Sequence, residues 1–303
     1  MGYLTQKKRT GDVIMLKSLI AIDGVCVFLL TAFVVCAENS SGEQLTAITS
    51  IPENIQLIIG RREQSYFPRL YAIHNLGDDL PSDQITACIG FLYLKLETQE
   101  LADLEFNGLK NELVLKLMRQ KTPSPKLAEA LVTMFRDQSY DETWRNYCVQ
   151  FFGKCYPYLQ SPDDRKMMTE AIRDALKERT GNIAGTAGYM LSHMVYYPGF
   201  DRDEIADRIY EALSDPYCST GSKLLLLQAS AELGDPRALP VARKLLKSPI
   251  PHLRMSAIGA IGYLGDASDL PELEKLAASS DPSKRTPAGN AIDKIKQRMI
   301  NIR

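Results

Sequence analysis

Ser192 and His193 are adjacent, and a hydroxyl beside an imidazole is the pair that hydrolytic enzymes use as nucleophile and base. Neighbours on a helix project in different directions, so this pair is not expected to act as a triad. His74, His193 and His252 are far apart and form no His-Glu-x-x-His helix, so no metal site and no cofactor is expected. Gly181, Gly185 and Gly188 lack the Lys-Ser/Thr end of a phosphate loop; small residues for close helix packing are the expected role. Asp201, Asp203, Glu204, Asp207 and Glu211 form an acidic run that suits a solvated helix face opening with favourable charges.

Two groups point to binding rather than catalysis. Arg165, Lys223, Arg254 and Arg285 open equivalent helices, so stacking would align them along one edge. That edge is either a phosphate- or carboxylate-binding track or a ladder paired with Asp235 and Asp266 of neighbouring units, at about 0 to 1 kcal/mol per exposed pair. Aromatics crowd the middle of the chain: Trp144, Tyr147, Phe151, Phe152, Tyr156, Tyr158, Tyr189, Tyr196 and Tyr197. Exposed on one face they make a recognition patch of large contact area at small entropic cost, although their spacing suits a core equally. Tyr196-Tyr197-Pro198 lies near a loop and is the preferred exposed subset. The candidate binding residues are therefore Trp144, Tyr189, Tyr196, Tyr197, Arg254 and Arg285, with no catalytic set.

The elements that position these residues repeat. Leu233-Gly234-Asp235 returns as Leu264-Gly265-Asp266, Leu239-Pro240 as Leu270-Pro271 and Lys244-Leu245 as Lys275-Leu276, each 31 residues later. Arg254, Ala257, Ala260 and Ile261 return as Arg285, Ala288, Ala291 and Ile292 at the same offset. Asp215-Pro216, Ser248-Pro249 and Asp281-Pro282 recur every 33, so the loops vary while the helical unit keeps its length. Each unit reads as two helices. Pro240 or Pro271 sits in the first turn of one, with Ser268 or Asp269 placed to cap the second copy. A small, apolar second helix ends at Gly234 or Gly265, expected in the left-handed conformation. One pair cannot bury its apolar face; at about 1.5 to 3 kcal/mol per buried Leu or Ile, several must stack.

The pattern carried by Pro249, Arg254, Ala257, Ala260, Leu264, Gly265 and Asp266, and again by Asp281, Pro282, Arg285, Ala288 and Ala291, resembles HEAT repeats, in the short form similar to phycobilisome lyase-type HEAT-like proteins. The resemblance implies an all-α, right-handed α-solenoid of helix pairs. It implies little about function, because the family spans scaffolds, enzyme subunits and a few enzymes. The repeated His-Glu pairs of the iron-binding HEAT-like hydroxylases are absent from this sequence.

Of the 303 residues, 45% are hydrophobic and 24% charged, an ordinary globular balance. Lys7, Lys8, Arg9 and Lys17 precede a mostly apolar run from Leu19 to Val35, and Val35-Cys36-Ala37 fits the small-residue rule for cleavage before Glu38. An export signal over 1–37 is expected, with a membrane anchor through 19–35 as the alternative and the only membrane contact foreseen. Without 1–37 the chain keeps 32 basic and 35 acidic residues, a balance that gives no pull toward nucleic acid. Of Cys88, Cys148, Cys155 and Cys218, the pair 148/155 would span about 10 Å on one helix, too far for a disulfide unless Gly153 breaks it.

Residues 38–50 read as a linker, 51–160 as irregular helical pairs and 161–303 as HEAT-like repeats in one continuous solenoid with them. The expected function is an exported, non-catalytic scaffold, periplasmic or extracellular, holding a protein or peptide on its concave surface. The alternative is an enzyme or enzyme partner of the lyase-type HEAT-like family.

Overall fold

A computed structural model describes residues 51–60, 65–95 and 104–301; the expected export segment and linker lie outside the described residues. The chain divides into two compact units, Met1–Tyr147 and Cys148–Arg303. Among the described residues the regular elements are helices. They run α1 (Glu53–Ile59), α2 (Tyr66–His74), α3 (Ser82–Leu92), α4 (Leu104–Met118), α5 (Pro125–Arg136) and α6 (Glu142–Cys155), the last crossing the division. There follow α7 (Pro162–Ala175), α8 (Ile183–Met194), α9 (Arg202–Ser214), α10 (Thr220–Glu232), α11 (Leu239–Leu245), α12 (Pro251–Leu264), α13 (Leu270–Ala277) and α14 (Pro282–Asn301).

In the first unit, buried cations tie one helix end to the next helix. The last carbonyls of a helix have no partner of their own. Arg69 of α2 donates from Nε and Nη2 to the Ile58 carbonyl at 3.1 and 2.7 Å, Lys110 of α4 donates to the Leu94 carbonyl past α3, and Arg145 of α6 donates to the Phe135 carbonyl at 2.8 Å. Aromatic rings shield these charges: Lys110 Nζ lies 4.7 Å from the Phe106 and Trp144 ring centroids, and the Arg69 guanidinium 5.1 Å from that of Phe91.

The second unit is an α-solenoid of helix pairs, α7/α8, α9/α10, α11/α12 and α13/α14. Ser161 and Asp201 cap α7 and α9, accepting from the N–H groups of Asp163 and Asp164 and of Glu204. Pro240 and Pro271 sit in the first turns of α11 and α13. Gly234 ends its unit at φ +68°, the left-handed position that favours glycine. Gly265 corrects the same expectation: its φ is −73° and ψ 171°, extended backbone open to any residue. Space, not φ, requires the glycine there, because a Cβ would lie 2.6 Å from Asp269 Oδ2 and from the Ile261 carbonyl. The cap in this copy is Asp266, which accepts from Ser268 N–H while Asp269 accepts from Asp266 N–H at 3.0 Å.

Asp269 also receives Arg243 through Nε at 2.7 Å and Nη2 at 2.9 Å, and it is only 7% exposed. Asp269→Ala is expected to cost about 2 kcal/mol, since two charge-assisted bonds from Arg243 are lost and the Asp266 N–H loses its acceptor. Chemical denaturation of the purified chain measures that loss.

The second helices pack more tightly than the first. α8 lies against α10, α10 against α12 and α12 against α14 in the most extensive contacts of the unit. Small residues allow this approach: a Cβ on Gly185 would lie 2.6 Å from Ser222 Cα, one on Gly188 2.4 Å from Leu226 Cδ2, and one on Gly262 3.0 Å from Ala291 Cα. Closer spacing in one layer than in the other bends a stack toward the tighter layer, so the face built by the second helices is this unit's inner face. Ser222 Oγ adds a polar tie, accepting from Gly185 N–H at 3.1 Å in the first turn of α8, where the N–H groups have no intrahelical acceptor. Close packing is thus the role of Gly185 and Gly188, whereas Gly181, at φ +51°, makes a turn.

Several carboxylates at helix ends of this unit sit below their usual range. Asp281 is held down by Ser283, Asp266 by Ser268, Asp215 by the Tyr217 N–H and Arg179, and Glu204 by Arg208 and Arg173. A depressed folded-state value stabilises the fold above the unfolded-state range of about 4 and is lost as pH falls through the folded values. Thermal unfolding followed by circular dichroism is therefore expected to hold a level midpoint from neutrality to about pH 5 and to decline steadily below pH 4.

Candidate functional site

The inner face of the second unit carries two clefts. The first, of about 550 Å³, opens between α6 and α8 and reaches Leu225 of α10. Gly153, Met190 and Met194 line its apolar side, and Lys154, Tyr189, His193 and Tyr197 its polar and aromatic side. Gly153 makes the room: a Cβ there would sit 2.6 Å from Met190 Cγ, and its N–H faces Met190 Sδ at 2.8 Å. The second cleft, of about 320 Å³, lies between α10 and α12, with Leu224, Leu225, Gln228, Glu232, Ser256, Gly259 and Tyr263 among its lining. Leu225 belongs to both, so the two form one track across three successive second helices.

Polar groups converge where the clefts meet. The Tyr189 ring stands edge-on to His193 at 4.7 Å. His193 Nδ1 lies 2.8 Å from the Tyr189 carbonyl, which fixes that nitrogen as the protonated one. Glu232 accepts from Gln228 Nε2 at 2.9 Å, and Ser192 Oγ and His193 Nε2 stand 3.3 and 3.8 Å from Glu232 Oε2. A hydroxyl, an imidazole and a carboxylate thus meet, but not as a hydrolase needs them. Ser192 Oγ approaches Nδ1 at 3.3 Å, and that nitrogen already gives its proton to a carbonyl, so it has no lone pair with which to accept the serine proton. Ser192 is 6% exposed and donates to the Tyr189 carbonyl at 2.7 Å. This geometry orients Glu232; it does not activate a nucleophile. No group of three or more His, Cys, Asp or Glu residues suited to a metal ion occurs among the described residues.

The structure separates the expected binding residues. Tyr189 and Tyr197 line the first cleft. Tyr196 is 84% exposed but lies outside both linings. Trp144 corrects the aromatic-patch expectation: it is fully buried in the first unit, and its Nε1–H faces Met134 Sδ at 3.4 Å.

Arg254 corrects the expectation of an anion track and that of an Arg–Asp ladder alike. Its Nη1 donates to the Ser248 and Pro249 carbonyls at 2.7 and 3.2 Å, and Arg165 likewise donates to the Leu159 carbonyl at 2.8 Å. Asp235 and Asp266 instead face Arg237 and Arg243. Arg69, Arg145, Arg165, Arg254 and Arg285 are each the fourth residue of their helix, and four of them bind a carbonyl at the end of the preceding segment. The basic position is therefore a recurrent helix-end tie present in both units. Arg285 keeps the position with an exposed side chain and lines neither cleft.

Cys148 and Cys155 lie on one unbroken helix, which removes the condition for their pairing. Cys88 and Cys155 are buried thiols, pushed up to about 12 by that burial.

Met190, Leu225, Gln228, Glu232 and Tyr263 are site residues that the sequence reading missed. A signal for them existed in the period itself. Leu225, Gln228 and Glu232 correspond at the 31-residue offset to Ser256, Gly259 and Tyr263, so the lining positions repeat while their residue types change. Framework positions such as Leu-Gly-Asp repeat with their types unchanged.

Residues 204–292 match the family model described as HEAT repeats. Among solved structures the chain is similar to the Escherichia coli protein YibA, at 17% identity over 85% of this chain and 98% of that one, with a TM-score of 0.45. It is also similar to an engineered protein, at 15% identity over 80% of this chain and 67% of that one, TM-score 0.40. A third is human deoxyhypusine hydroxylase, at 15% identity over 84% of this chain and 98% of that one, TM-score 0.32. No curated protein matches the sequence.

Proposed function

We propose, for a chain that carries HEAT repeats across residues 204–292, the function of an exported scaffold that holds a protein segment on the inner face of its second unit. The observation that carries this reading is the track of two clefts, about 550 and 320 Å³, joined at Leu225 and lined by Tyr189, Tyr197 and Tyr263 with methionine and leucine beside them. Aromatic rings with a polar tip give contact area and orientation together, and methionine adapts to varied apolar side chains. Two neighbouring clefts across three helices suit an extended or helical segment better than a small compact ligand. The export part of the reading rests on the basic residues and apolar run before Val35-Cys36-Ala37, and it places the partner in the periplasm or outside the cell.

Affinity capture with the full chain from its native envelope or culture fraction tests the reading. Leu225→Arg, which drives a charge into both clefts, is expected to abolish retention of the partner, and Tyr196→Ala is expected to leave it unchanged. Retention that survives Leu225→Arg would remove the clefts from the binding site.

A further inference from the structure

Glu232 is the single carboxylate among the described residues lining either cleft. Other carboxylates of the same unit are held by arginine: Asp207 and Asp235 by Arg237, Asp269 by Arg243. Glu232 is not. Among the described residues its partners are Gln228, Ser192 and the more distant His193 imidazole, and its side chain keeps 33% of its exposure. Gln228 is a neutral donor, which orients the carboxylate without neutralising it. Leu224 and Leu225 both lie about two turns before it on α10, so the charge stands beyond the end of an apolar strip. The other ionic group in the lining, Lys154, stands across α8 in the first cleft and repels a cation there. Lys294 already occupies the Tyr263 ring face at 3.6 Å, which leaves the carboxylate as the attractive element for an incoming cation.

From this charge complementarity we propose that the segment held by the track carries a lysine or arginine that pairs with Glu232, flanked by apolar side chains that fill the cleft toward Met190. The proposal rests on the reading of this face as a peptide-binding track and names the chemistry of its occupant. Glu232 selects the basic residue; Gln228 holds it in position. The pair lies at the solvent-reached rim of the groove, so charge selection amounts to roughly 1.5- to 5-fold in affinity.

Selection of a random decapeptide display library on the full chain tests this, in parallel with the Glu232→Lys and Glu232→Gln variants. Enriched peptides are expected to carry one lysine or arginine among apolar residues, to switch to aspartate or glutamate with Glu232→Lys, and to lose charge preference with Glu232→Gln. Synthetic peptides from the first set are expected to bind the Gln variant roughly 1.5- to 5-fold more weakly. Enrichment of apolar peptides with no charge bias, or a bias that Glu232→Lys leaves unchanged, overturns the proposal and leaves the track standing. Absence of any enrichment overturns the track as well. Circular dichroism confirms that both variants, at an exposed position, keep the helical fold.

Discussion

Gly185→Leu is expected to destabilise the second unit by about 3 kcal/mol or more, at the upper end of what an overpacked contact costs. The reason is that the obstacle is backbone. A Cβ at 185 would stand 2.6 Å from Ser222 Cα and 2.9 Å from the Ser222 carbonyl oxygen, and no rotamer change moves either atom. To admit the side chain α8 must separate from α10, which breaks the Gly185 N–H to Ser222 Oγ bond and opens the Leu226–Gly188 contact. For a unit of this size each kcal/mol moves the melting temperature by about 2 to 4 °C, so calorimetry should record a fall of roughly 6 to 12 °C. Gly259→Ala is the matched control. Gly259 lies in the interior of α12 with no atom within 4 Å of a built Cβ, so the alanine is expected to stabilise by about 0.5 to 1 kcal/mol. Two glycines of one helix layer thus carry opposite signs, which glycine content alone cannot produce.

Trp144→Ala carries the second large effect, about 3 to 5 kcal/mol in the first unit. The ring is fully buried, touches Met134 through its N–H and lies 4.7 Å from Lys110 Nζ. Its removal opens a cavity and takes one aromatic face from a lysine that is 1% exposed. A binding-patch tryptophan would behave in the opposite way, with little change in stability and a large loss of binding. Because Trp144 is the chain's one tryptophan, its fluorescence reports this directly. Blue-shifted native emission that moves to the red only on unfolding is expected, and strongly solvent-quenched native emission would contradict a core role.

The contrast between Gly185 and Trp144 shows which features could be read from the sequence. The 31-residue period and Pro240 and Pro271 in first turns are local signals, set by a residue and its near neighbours. They located α11 to α14. Arg254 failed because its destination is set across a loop: the sequence placed it correctly at the fourth position of a helix but not on the Ser248 carbonyl. Gly265 failed for a related reason, since the atoms that exclude a Cβ belong to Ile261 and Asp269 rather than to its own φ. The site was legible in part. Tyr189 and Tyr197, two of the named candidates, line the first cleft, but Leu225, Glu232 and Tyr263 vary in type at a fixed repeat position, and only stacking shows that they face one track.

The central claim, that partners are held on the face of the second helices, is tested most directly by photo-crosslinking in the native envelope or culture fraction. A benzophenone amino acid is placed at Gln228, exposed in the second cleft, or at Lys244, exposed on α11 in the other layer. A discrete adduct from position 228 and none from position 244 is the predicted result. An adduct from 244 with none from 228 would contradict it and move binding to the outer helices.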